Sequence, residues 1–192
     1  MMHQILVILV LCTFFASPTE SGEKARSAPS ALVQSIAGIR VGPNHSVDND
    51  VIEAFGPGLF TDDEGHGGGR YFTDPNRTIT LHVEIGVDHM IDHVELTSGI
   101  SLPKGLNASD PIFVSQALPA TPKIDHDLRL GMSPSEILKI LGRPKKDDKG
   151  GGKRTIVYEA TEEDHSRVLL YYEARFTFVA DRLTKISIYD GE

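Results

Sequence analysis

Between Thr78 and Ile85 polar and apolar residues alternate strictly, with Ile79, Leu81, Val83 and Ile85 set against Thr78, Thr80, His82 and Glu84. A period of two marks a β-strand with one buried and one open face. A turn at Val87-Asp88 would place Leu81 opposite Val94, Ile79 opposite Leu96 and His82 opposite His93. Thr80, His82, Glu84, His93 and Glu95 would then share the open face. The same alternation returns near the C-terminus, where Val168, Leu170, Tyr172, Ala174, Phe176 and Phe178 form a core face. Leu169, Tyr171, Glu173, Arg175 and Thr177 point the other way. Lys185, Ser187 and Tyr189 join them, because Ile186 and Ile188 take the core side of the last strand.

Two stretches change period. After Ser133, Ile137, Leu138 and Leu141 recur at helical spacing, bounded by Pro134 at the first turn and by Gly142 and Pro144 at the end. Ser133 can cap the helix and Glu136 completes a capping box with it. The earlier copy has Ser46 as candidate cap, Asp48 and Asp50 at the positive helix end, Val47, Val51, Ala54 and Phe55 on one face, and a Gly56-Pro57 stop. Helices are expected over 134–141 and 47–55. Each is followed by a polar, glycine-rich loop ("TDDEGHGGGR", "KKDDKGGGKR") and three strand-like runs. Gly42 and Gly131 introduce the two copies, about 90 residues apart, so an internal repeat is expected. Units of this size bury too little surface alone. The halves should therefore pack together or share one sheet.

The stretch "LRLGMSPSEILKILGRP", Leu128 to Pro144, is a glycine before a capped helix with a Leu-Gly-x-Pro ending, followed by strands. It resembles the signature of the SmpA/OmlA (BamE-like) family, and its duplication is similar to the tandem arrangement of the β-lactamase inhibitory protein. The resemblance implies an α+β fold of two tandem units, residues 23–103 and 104–192, each with short helices packed on a three-stranded antiparallel sheet. It also implies an exported, non-enzymatic protein-binding module of the bacterial cell envelope, acting in assembly or scaffolding. A secreted proteinaceous enzyme inhibitor is the alternative within this resemblance.

Termini and charge narrow the setting. The apolar run from Ile5 to about Ala16 is too short to span a bilayer and is followed by polar residues, which fits a signal peptide over residues 1–22. The mature chain is expected to be periplasmic or secreted, monomeric and without a membrane span. Lipidation needs a small residue before the cysteine, whereas Leu11 precedes Cys12, the one cysteine of the chain. A soluble exported protein is expected rather than a lipoprotein. The net charge of −8 argues against nucleic acid as partner.

No residue pattern singles out catalytic, cofactor-binding or metal-binding residues. "DHMIDHVE" places His89 and His93 four apart beside Asp88 and Asp92, a zinc spacing on a helix, but the surroundings are strand-like. A small metal-dependent hydrolase built on that cluster is the second alternative. The glycine runs lack the strand-before, helix-after context of a phosphate loop. The expected work is binding of a protein partner through Tyr171, Arg175, Tyr189, Leu169 and Lys185, the tyrosine- and arginine-bearing open face of the second half.

Overall fold

The computed structural model describes residues 33–41, 45–62, 67–163 and 169–191, and the side chains of 162, 163, 169, 170 and 191 are not among those described. The signal-peptide expectation for residues 1–22, the role of Gly42, and the core placement of Val168 and Leu170 lie outside the described residues.

A short hairpin, β1 (Ser35–Ile36) and β2 (Ile39–Arg40), precedes helix α1 (Asp48–Phe55) and a four-stranded meander: β3 (Leu59–Asp62), β4 (Gly68–Thr73), β5 (Ile79–Ile85) and β6 (Ile91–Ser98). A connecting segment with two short 3-10 turns (Pro111–Phe113, Asp125–Asp127) leads to helix α2 (Pro134–Leu141). A second meander follows: β7 (Lys146–Gly150), β8 (Lys153–Glu163), β9 (Leu169–Val179) and β10 (Arg182–Gly191). The order helix-then-four-strands thus occurs twice. The meanders are not separate bodies, however: β10 pairs with β6, giving one antiparallel eight-stranded sheet in the order β3-β4-β5-β6-β10-β9-β8-β7. The seam sets Ile188 opposite Val94 and Ile186 opposite Leu96.

This corrects the expected fold class. The described chain is mostly β, one eight-stranded sheet with two eight-residue α-helices, and not two tandem α+β units with three-stranded sheets. The physical reason is burial. Joining the last strands of both halves removes two open edges and merges two marginal cores into one. Val51 of α1, Ile137 and Leu141 of α2, Val33 and Val41, and the β1–β2 residues Ile36 and Ile39 form a single apolar cluster with Leu81, Val94, Phe176 and Ile188. The strand faces expected from alternation hold: Tyr172, Ala174, Phe176 and Phe178 are buried, while Arg175 is exposed.

Helix α2 starts as its sequence dictates. Ser133 Oγ accepts from the Glu136 N–H at 3.3 Å, and Glu136 Oε2 accepts from the Ser133 N–H at 2.7 Å. In α1 the cap differs from expectation. Val47 holds the N-cap position and the Asp50 carboxylate accepts its N–H at 3.0 Å, while Ser46 Oγ instead accepts from the Arg40 N–H at 3.2 Å.

Both glycine-rich loops border additional strands. In the second, β7 and β8 form a hairpin whose turn residues, Gly151 (φ 58°) and Gly152 (φ 74°), take left-handed conformations suited to a tight two-residue connection. Every residue of β7 is exposed, and its charges guard that edge against pairing with other chains. In the first, β3 pairs with β4 from Leu59 opposite Tyr71 to Asp62 opposite Gly68.

Candidate functional site

The helices, the β1–β2 hairpin and the core all lie to one side of the sheet. The other side is a broad polar face whose rows follow from register. One row runs Tyr71 (β4), His82 (β5), Glu95 (β6), Ser187 (β10), Arg175 (β9) and Val157 (β8). The next runs Glu84, His93, Tyr189, Glu173 and Glu159.

Register departs from expectation by two residues: Leu81 faces Leu96, Val83 faces Val94, and His82 faces Glu95. The turn is longer than the expected pair, spanning Gly86 to His89, with the Gly86 N–H donating to Met90 O (2.8 Å) and His89 at φ 66°. The ladder then skips at Asp92, where Ile85 pairs with Ile91 and Glu84 with His93.

Aromatic rings step across four strands on this face. Tyr71 and His82 stack at 4.2 Å, His82 meets His93 edge-on at 5.8 Å, and His93 meets Tyr189 at 6.3 Å. Charges are paired locally. Glu84 Oε2 accepts from His93 Nδ1 (3.0 Å), Glu95 from Lys185 (2.9 Å), Glu173 from Arg175 (2.6 Å), and Glu159 lies 2.8 Å from Lys146 Nζ. These pairs offset the repulsion of Glu159 and Glu173, which sit directly opposite each other. Burial, reinforced by repulsion from His93, pushes His82 down to about 4, so its ring is neutral at physiological pH. Burial, with Glu84 and Glu95 nearby, pushes the Tyr71 hydroxyl up. The hydrogen bond from His93 holds Glu84 below the usual carboxylate range.

Four of the expected binding residues meet on this face. Tyr189 is 46% exposed and sits opposite Glu173; Arg175 is exposed beside it and opposite Ser187. Tyr171 is half-buried, its hydroxyl donating to Glu173 at 3.4 Å. Lys185 lies two residues along β10 from Ser187 and is engaged by Glu95. Leu169 begins β9, but its side chain lies outside the described residues.

One part of the site was invisible to sequence reasoning. Residues 99–103 turn back over the polar face after β6. Thr80, expected to be open, is 2% exposed because it clamps them: its hydroxyl donates to Gly99 O (2.8 Å) and accepts from the Ser101 N–H (2.9 Å). The result is a hollow of about 260 Å³ lined by Tyr71, Thr80, His82, Glu95, Thr97, Ser101, Leu102 and Pro103. Its one advance signal was Gly99, directly after a strand.

Among the described residues no group of three or more His, Cys, Asp or Glu side chains is placed to hold a metal. His89 lies in the turn, while His93 pairs with Glu84. No described helix is long and apolar enough to cross a membrane.

No protein-family model matches the chain, and no curated protein matches it. Among solved structures it is similar to a DUF4309 family protein, YjgB, from Bacillus subtilis, with 16% identity, coverage of 77% of this chain and 80% of that one, and a TM-score of 0.41. The resemblance to the SmpA/OmlA family and to the tandem inhibitory protein does not stand. The capped helix is present, but it leads into a four-stranded meander fused within one eight-stranded sheet rather than into a separate three-stranded one.

Proposed function

We propose that this protein is a non-enzymatic binding module that recognises a partner protein through the open face of its eight-stranded sheet. It would act in the periplasm or outside the cell, because the apolar run from Ile5 to Ala16 has the length of a signal segment rather than a span. One observation carries it. Tyr189 and Arg175 stand exposed on a face that none of the described helices covers, although the opposite face is fully packed. Tyrosine and arginine supply large contact area with hydrogen-bonding tips, the combination that dominates protein recognition.

The partner's chemistry follows from the face. Arg175 with Glu173 and Lys185 with Glu95 make neighbouring pairs of opposite sign, so the matching surface is flat, polar and of mixed charge. A photoreactive residue placed at 175 or 189 should crosslink one discrete protein in living cells, and one placed at Ile140 on the outer side of α2 should not. If that protein is an enzyme slowed by binding, the module is an inhibitor. Equal crosslinking at 140 and 189 would remove the open face from the proposal.

A further inference from the structure

The hollow behind residues 99–103 differs from the rest of the open face. It has a fixed wall, because Thr80 bonds both Gly99 and Ser101, and the Gly99 N–H donates to Thr78 O at 2.6 Å. Gly99 takes φ 77°, a left-handed conformation that lets the chain turn back at this point. At about 260 Å³ the hollow lies below the roughly 300–1,000 Å³ of clefts that take drug-sized ligands, which limits its occupant to about one ring.

Its lining defines the chemistry of that ring. The carboxylate of Glu95 already accepts from Lys185 (2.9 Å) and from Thr97 Oγ1 (3.1 Å), so no net charge is left to neutralise. A carboxylate with two oxygens, and a threonine hydroxyl whose proton is committed, retain free lone pairs. The hollow therefore asks its occupant for uncharged hydrogen-bond donors, O–H or N–H. Ser101 adds a hydroxyl that can donate or accept. Leu102 and Pro103 make one apolar wall, and the stacked rings of Tyr71 and His82 make another. Hydroxyl acceptors beside apolar walls, without uncompensated charge, match a molecule with O–H groups at its edge and C–H groups on its face.

We infer that this hollow binds a neutral saccharide, either a free sugar or the terminal unit of a neutral glycan. This goes beyond protein docking through Tyr189 and Arg175 and shares with that surface only the Glu95–Lys185 pair.

The test is an NMR titration of the whole chain with D-glucose, D-galactose and N-acetyl-D-glucosamine, against D-glucuronate and glucose 6-phosphate as charged probes. For a ligand of about a dozen heavy atoms a Kd of the order of a millimolar is expected. At least one neutral sugar should give saturable shifts centred on Tyr71, Thr97 and Ser101. Substituting the exposed Ser101→Phe should plug the hollow and abolish those shifts while the remaining spectrum stays folded. A second variant, Thr97→Val, removes one hydroxyl without adding bulk and should weaken the same sugar. Maltotriose and chitotriose separate the two sources: tighter binding than the monosaccharide means a glycan end, equal or weaker binding a free sugar. Preference for the charged probes, shifts that survive Ser101→Phe, or no saturable shift with any sugar would overturn the assignment. The variant Arg175→Ala keeps the two proposals apart, since it should impair protein crosslinking and leave sugar binding intact.

Discussion

Tyr71 and His82 stack face to face at 4.2 Å and 7° on adjacent strands of the open sheet face, with Gly69 beside the histidine. The glycine is required by space: a Cβ there would meet His82 Nε2 at 2.8 Å and Thr61 Oγ1 at 3.1 Å. Gly69→Ala should therefore push the ring off Tyr71 and destabilise the fold by about 1–3 kcal/mol, as overpacking does. Urea denaturation reads the cost, and the His82 ring shifts in NMR read the displacement.

The same histidine makes stability depend on pH. Its folded-state value, near 4, lies below the ordinary 6.5, so between these values the unfolded chain binds the proton and the folded chain does not. This contribution is fully present above pH 6.5 and is lost as pH falls toward 4, with an upper bound of about 3 kcal/mol. Asp92, raised by burial and by Asp88 and Asp190, acts in the opposite direction. The difference between the wild type and His82→Gln isolates the histidine. Wild-type stability should fall more steeply than the variant's between pH 6.5 and 4.

Asp74 is fully buried in the turn between β4 and β5 and accepts from the N–H groups of Asn76 (3.1 Å), Thr78 (2.6 Å) and Ile79 (3.0 Å) and from the Thr78 hydroxyl (3.0 Å). Burial raises its carboxyl, and these donors outweigh that and hold it below the usual range. Its stabilisation is present above the ordinary value of 3.8 and is lost as pH falls through the depressed folded value. Asp74→Ala should cost about 2–4 kcal/mol, since it strands buried N–H groups. Thermal melts at pH 7 check this.

The helix starts give a contrast. Ser133→Ala removes a reciprocal cap and should cost about 1 kcal/mol. In α1 the equivalent loss belongs to Asp50→Ala rather than to a capping role of Ser46, because the Asp50 carboxylate holds the Val47 N–H. Denaturation curves of Ser133→Ala and Asp50→Ala should show similar midpoint shifts.

These residues also show what local sequence reveals. The helices, the meander strands and their buried faces were legible, because Ser133-Pro134, Gly142 and the alternation of Ile79 to Ile85 act over a few residues. The outer strands were not. Lys146 to Gly150 has no alternation to read, since an edge strand exposed throughout has no core face. Register failed because the turn is longer than two residues and one further residue is inserted at Asp92, which together shift every later pair by two. The seam of Ile188 with Val94 joins distant segments, and nothing near either residue announces it. The hollow escaped for the same reason, because Thr80 and Ser101 meet only after the chain turns back at Gly99.

Whether the open face is the binding surface is decided by the double variant Tyr171→Ala/Tyr189→Ala. The measurement is affinity for the protein crosslinked at position 189, taken together with the unfolding free energy. Affinity should weaken by about 2 kcal/mol or more, because such side chains dominate recognition. Stability should change by about 1 kcal/mol or less, since Tyr189 is 46% exposed and Tyr171 only half-buried. Unchanged affinity accompanied by a large loss of stability would contradict the account, showing that these tyrosines hold the fold together and that recognition lies elsewhere.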